Sequence, residues 1–244
     1  MTAEPARELT ALYEQIADCP DCTLARTRTQ TVPGAGATLA EVMCIGEAPG
    51  AREDQLGLPF VGPAGRFLDE LLSAAGLSRE SVYIANIVKC RPPENRDPQP
   101  DEIAACRGYL DRQIELVDPK VIVTLGRFSM ARWFPGESIG RIHGQAKRIG
   151  GRVVIPMYHP AAALHRGDLR PVITADFAQL PGLIAAARGE SALPTPAEAT
   201  SDPRADANAG APVVASRAVP ASQVAPTLAA IPDAEGATEQ TSLL

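Results

Sequence analysis

Four of the five cysteines could act together. Cys19-Pro-Asp-Cys22 sets two thiols in a tight turn. Cys90 lies far downstream behind an expected strand, and Cys106 within the helix expected after it. Four soft sulfur ligands drawn from two distant pairs suit a tetrahedral zinc ion or a [4Fe–4S] cluster, and the spacing does not separate the two. Cys44 differs. It stands in the apolar run Val42-Met43-Cys44-Ile45 and is expected to be a small core residue.

A second set of residues offers polar chemistry. Glu47 lies in Gly46-Glu47-Ala48-Pro49-Gly50, a loop whose glycines and proline let the backbone approach a ligand closely. Glu53-Asp54 and Leu58-Pro59-Phe60-Val61-Gly62 follow soon after. Asn86 ends a strand and runs through Lys89 into Cys90-Arg91-Pro92-Pro93, and His159-Pro160 follows another strand. Taken singly, each has a structural explanation: Glu53 and Asp54 as helix caps, Asn86 as a turn residue, His159 as a structural histidine.

The elements that must position these groups alternate between two periodicities. Leu9, Leu12, Tyr13 and Ile16 repeat on one helical face, which predicts a helix over Ala3–Ala17. Further helices are predicted over Gly65–Ala75, Asp101–Val117, Arg127–Phe134 and Thr174–Ala187. Strands are predicted over Glu41–Ile45, Val82–Val88, Lys120–Leu125 and Arg152–Met157. Such alternation implies an α/β fold with a mostly parallel sheet covered on both faces. Ligands in such folds bind at the carboxyl ends of the strands, where Glu47, Asn86 and His159 all fall.

Composition bounds the rest. The chain has 244 residues, 45% of them apolar and 21% charged, as in an ordinary soluble protein. The N-terminus lacks the basic region and apolar run of a secretory signal, and no stretch is apolar enough for a membrane span. A cytoplasmic protein that avoids membranes is expected, and disulfides are not. Residues 188–244 hold seven prolines, fifteen alanines and no aromatic residue, so a disordered tail is expected there, with the folded domain in 1–187. Of the net charge of -6, the tail carries -4, with 3 basic and 7 acidic residues. Between Arg141 and Arg170 six basic residues face one acid, Asp168, a local excess able to meet phosphates.

Read together, the Glu47 loop, Pro59-Phe60-Val61-Gly62, Asn86 to Pro93 and Tyr158-His159-Pro160 resemble the type-4 uracil-DNA glycosylases of bacteria and archaea. The four paired cysteines match that family's cluster spacing, and the resemblance spans about residues 8–187. It implies a three-layer α/β/α sandwich and a [4Fe–4S] cluster held by Cys19, Cys22, Cys90 and Cys106. It implies a monomeric, monofunctional enzyme of base excision repair. Such an enzyme flips uracil out of single- or double-stranded DNA, hydrolyses its N-glycosidic bond and leaves an abasic site. In that reading Phe60 stacks on the uracil, and Asn86 bonds its N3 and O4 edge. The Glu47, Ala48 and Pro49 backbone contacts the base carbonyls. His159 donates to O2 of the departing uracil anion, while Glu47 stabilises the cationic sugar and orients water. No lysine nucleophile stands in the matched motifs, so no strand-cleaving step is expected.

Two departures bear on this expectation. Where the family usually has Ser and then Leu-Leu-Arg after His-Pro, this chain has Ala161-Ala162-Ala163-Leu164-His165-Arg166, leaving Arg166 as the expected phosphate contact. Arg141-Ile142-His143 is similar to an insertion in a related group that bonds covalently to uracil-DNA through histidine. There the insertion follows the Asn-bearing strand closely and a Gln replaces the residue at Ala48; here Asn86 runs directly to Cys90. His143 is therefore expected in a loop or facing DNA. The alternatives to hydrolysis are that covalent chemistry, or a non-catalytic metal-dependent DNA-binding or redox module.

Overall fold

The computed structural model describes residues 3–193. The chain opens with α1 (Ala3–Ala17), then β1 (Ala35–Gly36), β2 (Val42–Gly46), α2 (Ala51–Leu56), α3 (Pro63–Ala74) and β3 (Tyr83–Asn86). It continues through α4 (Pro100–Val117), β4 (Val121–Leu125), α5 (Arg127–Ala131), α6 (Ile139–Ile142) and β5 (Lys147–Ile149). β6 (Arg152–Met157), α7 (Ala162–His165), α8 (Leu169–Phe177) and α9 (Leu180–Arg188) complete it. The strands form one sheet in the order β1-β3-β2-β4-β6-β5. The inner four are parallel, and β1 and β5 pair antiparallel at the edges.

β2 and β4 are buried along their whole length, which is why they read as unbroken apolar runs. Their side chains alternate between two cores. Met43 and Ile45 of β2 pack with Leu9, Leu12 and Ile16 of α1 and with Leu110 and Ile114 of α4. Val42 and Cys44 pack with Phe67, Leu68 and Leu71 of α3 and with Ile173, Phe177 and Leu183 of the last two helices. Helices on both faces make the expected three-layer α/β/α arrangement. Cys44 is fully buried, and that burial pushes its thiol up to about 12, as a core residue's should be.

Three details differ from the sequence expectation. The single helix predicted over 174–187 is two, α8 and α9, because Pro181 has no N–H to carry α8 onward and instead sits in the first turn of α9. The edge strands β1 and β5 are too short to register as periodicity. The strand predicted over 82–88 ends at Asn86, although Ile87 and Val88 still donate to the carbonyls of Gly46 and Glu47. The tail expected over 188–244 lies outside the described residues beyond Leu193; within them α9 ends at Arg188 and Leu193 packs on the core. Among the described residues no helix is long and apolar enough to cross a membrane.

β2 lies between β3 and β4, so the chain leaves it in one direction and returns on its other side. A crevice forms at the strand ends of such a switch point. Gly46 stands beside Asn86 in the register, and Leu125 beside Met157. The loops that begin at Glu47, Ile87, Gly126 and Tyr158 therefore leave the sheet along one edge.

Candidate active site

Gly46 closes β2 against two of the expected site residues. A β-carbon there would fall 2.4 Å from Asn86 Oδ1 and 2.7 Å from Cζ of Phe60. Only glycine lets the amide and the ring share this space. Asn86 is 1% exposed and its Oδ1 is buried with no hydrogen-bond partner. Leaving a buried acceptor unpaired costs about 1–3 kcal/mol, which a ligand N–H placed there would recover. The Asn86 backbone is held from below, where Lys89 Nζ donates to its carbonyl at 2.7 Å and to Gln113 Oε1 at 2.6 Å.

Phe60 sits in the left-handed region at φ 52, which is rare for an aromatic residue. Its ring stacks on that of His159, with centroids 5.4 Å apart and planes inclined by 25°. Glu53 Oε1 accepts from the backbone N–H of both Val61 and Gly62 at 2.8 Å, so it organises the Phe60 loop rather than capping its own helix α2. Gly65 is forced by the same turn, because a β-carbon there would overlap the Phe60 carbonyl.

His159 is only partly covered, yet the protein packed round it pushes its imidazolium down to about 4, against a weaker opposing pull from Glu53. The ring is neutral at physiological pH. Its Nδ1 accepts from the Ala161 backbone N–H at 3.1 Å, so Nε2 carries the proton and is a donor. Glu47 is half-buried. Burial, reinforced by Asp97, raises its carboxyl to about 7, and Arg127 opposes the shift. Arg127 and Asp97 themselves form an ion pair at this rim.

On the α1–α4 side of the sheet, Cys19, Cys22, Cys90 and Cys106 line a single cavity with Arg28 and Lys89. Arg28 Nη1 donates to Cys90 Sγ at 3.3 Å and to the Cys19 carbonyl at 2.8 Å; the Lys89 backbone N–H donates to Cys106 Sγ at 3.2 Å. Buried Glu102 accepts from Thr23 Oγ1 at 3.0 Å and from Gln99 N–H at 2.8 Å, which ties the turn after Cys22 to the start of the helix bearing Cys106. Burial pushes the Cys106 thiol up to about 11 and raises Cys90, so their thiolates need a cationic partner. Among the described residues no three His, Cys, Asp or Glu side chains close on one point as ligands of a single ion do. Four cysteines thus line one cavity, and two of their sulfurs, those of Cys90 and Cys106, accept from N–H donors, a setting that suits thiolate ligands.

Residues 33–179 match the family described as the uracil DNA glycosylase superfamily. A type-4 uracil-DNA glycosylase of Sulfurisphaera tokodaii is 46% identical over 185 residues, covering 70% of this chain and 83% of that protein. Those of Archaeoglobus fulgidus (46% over 178 residues, 69% and 89%) and Saccharolobus solfataricus (48% over 179, 69% and 83%) are similar to the same extent. The chain belongs to the type-4 uracil-DNA glycosylase family.

Against the type-4 expectations, Phe60, Asn86 and His159 converge at the strand ends, with Glu47 on the adjoining loop, and the four paired cysteines share one cavity. His143 is buried rather than exposed in a loop. It is 5% exposed, and its Nδ1 lies 2.9 Å from Asp176 Oδ2 in a buried pair, with its ring 4.9 Å from that of Tyr158. The loop expectation failed because Ile142 and His143 close a short helix and pack inward, while Arg141 stays exposed. Arg166 is partly exposed and bonds Asp168 at 2.8 Å. Sequence reading missed Arg79, Gln113 and Asp97 entirely. Nothing local marks an arginine in a loop or a glutamine in a helix as a partner of residues 19 or more positions away.

Proposed function

We propose that this chain excises uracil from single- or double-stranded DNA as a monofunctional, monomeric glycosylase, leaving an abasic site for base excision repair. The observation that carries the reading is the buried, unpartnered Oδ1 of Asn86 beside the ring of Phe60. Uracil presents an N–H donor at N3 next to the O4 acceptor; cytosine has no N–H at N3 and rejects that amide. Phe60 would supply an apolar face for the flipped base, and backbone groups of the Glu47, Ala48 and Pro49 loop would contact its carbonyls, through N–H groups that Pro49 itself lacks.

In the reaction the C1′–N1 bond breaks and its electron pair stays on the uracil ring, so negative charge grows at O2 while the sugar becomes cationic. The Nε2–H of neutral His159 donates to O2, an oxyanion-type contact that strengthens as the bond opens. The Glu47 carboxylate, ionised above about 7, lowers the energy of the cationic sugar and orients the water that adds to C1′, whose proton it accepts. Arg166 would meet DNA phosphate once drawn from Asp168. Cys19, Cys22, Cys90 and Cys106 would hold a [4Fe–4S] cluster. When bound, that group would supply a cross-link between α1, the segment after β3 and α4, with Arg28 and the Lys89 amide donating to the sulfurs.

The test is direct. Single-stranded, U·A and U·G oligonucleotides are incubated with the protein, and free uracil and alkali-labile abasic sites are measured. Equal amounts of both products are expected, with none from cytosine or thymine. Strand breaks without alkali, or no free uracil, would refute the reading.

A further inference from the structure

The left-handed backbone of Phe60 is held by side chains from outside its turn, and one of them has no place in the candidate site described so far. Arg79, in the loop between α3 and β3, donates from Nη1 to the Pro59 carbonyl at 2.9 Å and from Nη2 to the Phe60 carbonyl at 2.7 Å. The planar guanidinium presents its two Nη donors in a fixed fork that matches two successive carbonyls, a geometry that a lysine ammonium on its flexible stem does not preset. Asp69 on α3 fixes the other side of the guanidinium, with Nε donating to Oδ1 at 3.0 Å. On the far side of the turn Glu53 accepts from Val61 and Gly62. The Pro59 and Phe60 carbonyls are thus held by a cation, and the N–H groups of the next two residues, Val61 and Gly62, by an anion.

We propose that Arg79 is a positioning residue for uracil capture. It holds the Phe60 ring against Gly46, Asn86 and His159 before any base arrives, so binding need not order this turn. Strain of this kind persists only where its surroundings over-determine it, and it marks functional sites. Preorganisation of a stacking platform acts on binding of the base rather than on bond breaking. The inference rests on the proposed role of Phe60 and adds a residue outside the ring contacts themselves.

The experiment compares wild type with Arg79→Met, Arg79→Lys, Asp69→Asn and Phe60→Ala as purified, fully folded enzymes. Steady-state KM and kcat on a uracil oligonucleotide and inhibition by free uracil are measured, with thermal melting alongside. Arg79→Met should raise KM and the uracil inhibition constant roughly tenfold with kcat within about twofold, the pattern of lost binding rather than lost chemistry. Arg79→Lys, able to reach one carbonyl, should recover part of the loss. Asp69→Asn keeps both carbonyl bonds but loosens the guanidinium that makes them, so its KM should fall between wild type and Arg79→Met.

Unchanged KM and uracil inhibition in Arg79→Met overturns the proposal. So does a fall in kcat and melting temperature together, with no recovery in Arg79→Lys. If Phe60→Ala weakens capture and Arg79→Met does not, the clamp alone fails. If Phe60→Ala captures uracil as wild type does, the proposed role of Phe60 fails first.

Discussion

Nδ1 of His159 accepts a hydrogen bond from the Ala161 backbone N–H at 3.1 Å. The N–H two residues on in the His-Pro turn thus selects the tautomer with its proton on Nε2. With the imidazolium pushed down to about 4 by burial, the ring is neutral well below pH 7 and keeps one N–H to donate. Stacking on Phe60 keeps its plane fixed.

Replacing this donor should act on chemistry. His159→Ala is expected to slow single-turnover excision by roughly 100-fold, the scale of one lost oxyanion donor. Melting should change little, since the side chain is only partly covered and belongs to neither core cluster. Excision by His159→Ala at the wild-type rate would refute the assigned role.

The pH dependence should report Glu47. Its carboxyl is raised to about 7, so the required carboxylate is scarce below that pH and abundant above it. The single-turnover rate should therefore rise as pH passes through about 7 and then level off. His159 adds no step there because it is already neutral. Asp97→Asn removes the neighbouring charge that raises Glu47 and should move the step to lower pH; Arg127→Met should move it higher. A profile flat between pH 5 and 9 would exclude a Glu47 carboxylate from the rate-limiting step.

Metal content distinguishes the cysteines. Protein purified without oxygen should carry about four iron and four sulfide per chain, as a [4Fe–4S] cluster requires. Cys90→Ser should lower both, whereas Cys44→Ser, buried between sheet and helices on the opposite face, should lower neither. Stoichiometric zinc without iron in the native protein would defeat the assignment.

His143 provides the contrast between stability and chemistry. His143→Ala leaves the buried Asp176 carboxyl without its hydrogen-bond partner, and an unsatisfied buried polar group costs about 1–3 kcal/mol. A lower melting temperature is expected, with excision retained below it. No adduct between wild type and uracil-DNA should survive heat and denaturant. A heat-stable adduct that disappears in His143→Ala would restore the covalent alternative.

The sequence determined the layered fold and the identity of most candidate site residues. Both signals are local. The runs Val42–Ile45 and Val121–Leu125 read as buried strands because both faces are covered, and Glu47, Asn86 and His159 stand out as polar residues directly after such runs. The paired cysteines carried the metal hypothesis for the same reason: their types and spacings suffice to raise it, though not to choose the metal. What only the tertiary structure decided are relations between distant segments. Tertiary packing alone sends His143 inward to Asp176, leaves Asn86 Oδ1 unpartnered, and sets Arg79 on the carbonyls of Pro59 and Phe60. Hydrogen bonds are short-ranged and directional, so a donor 19 positions away becomes a partner only when packing brings it within 3 Å, and no periodicity in the chain records that.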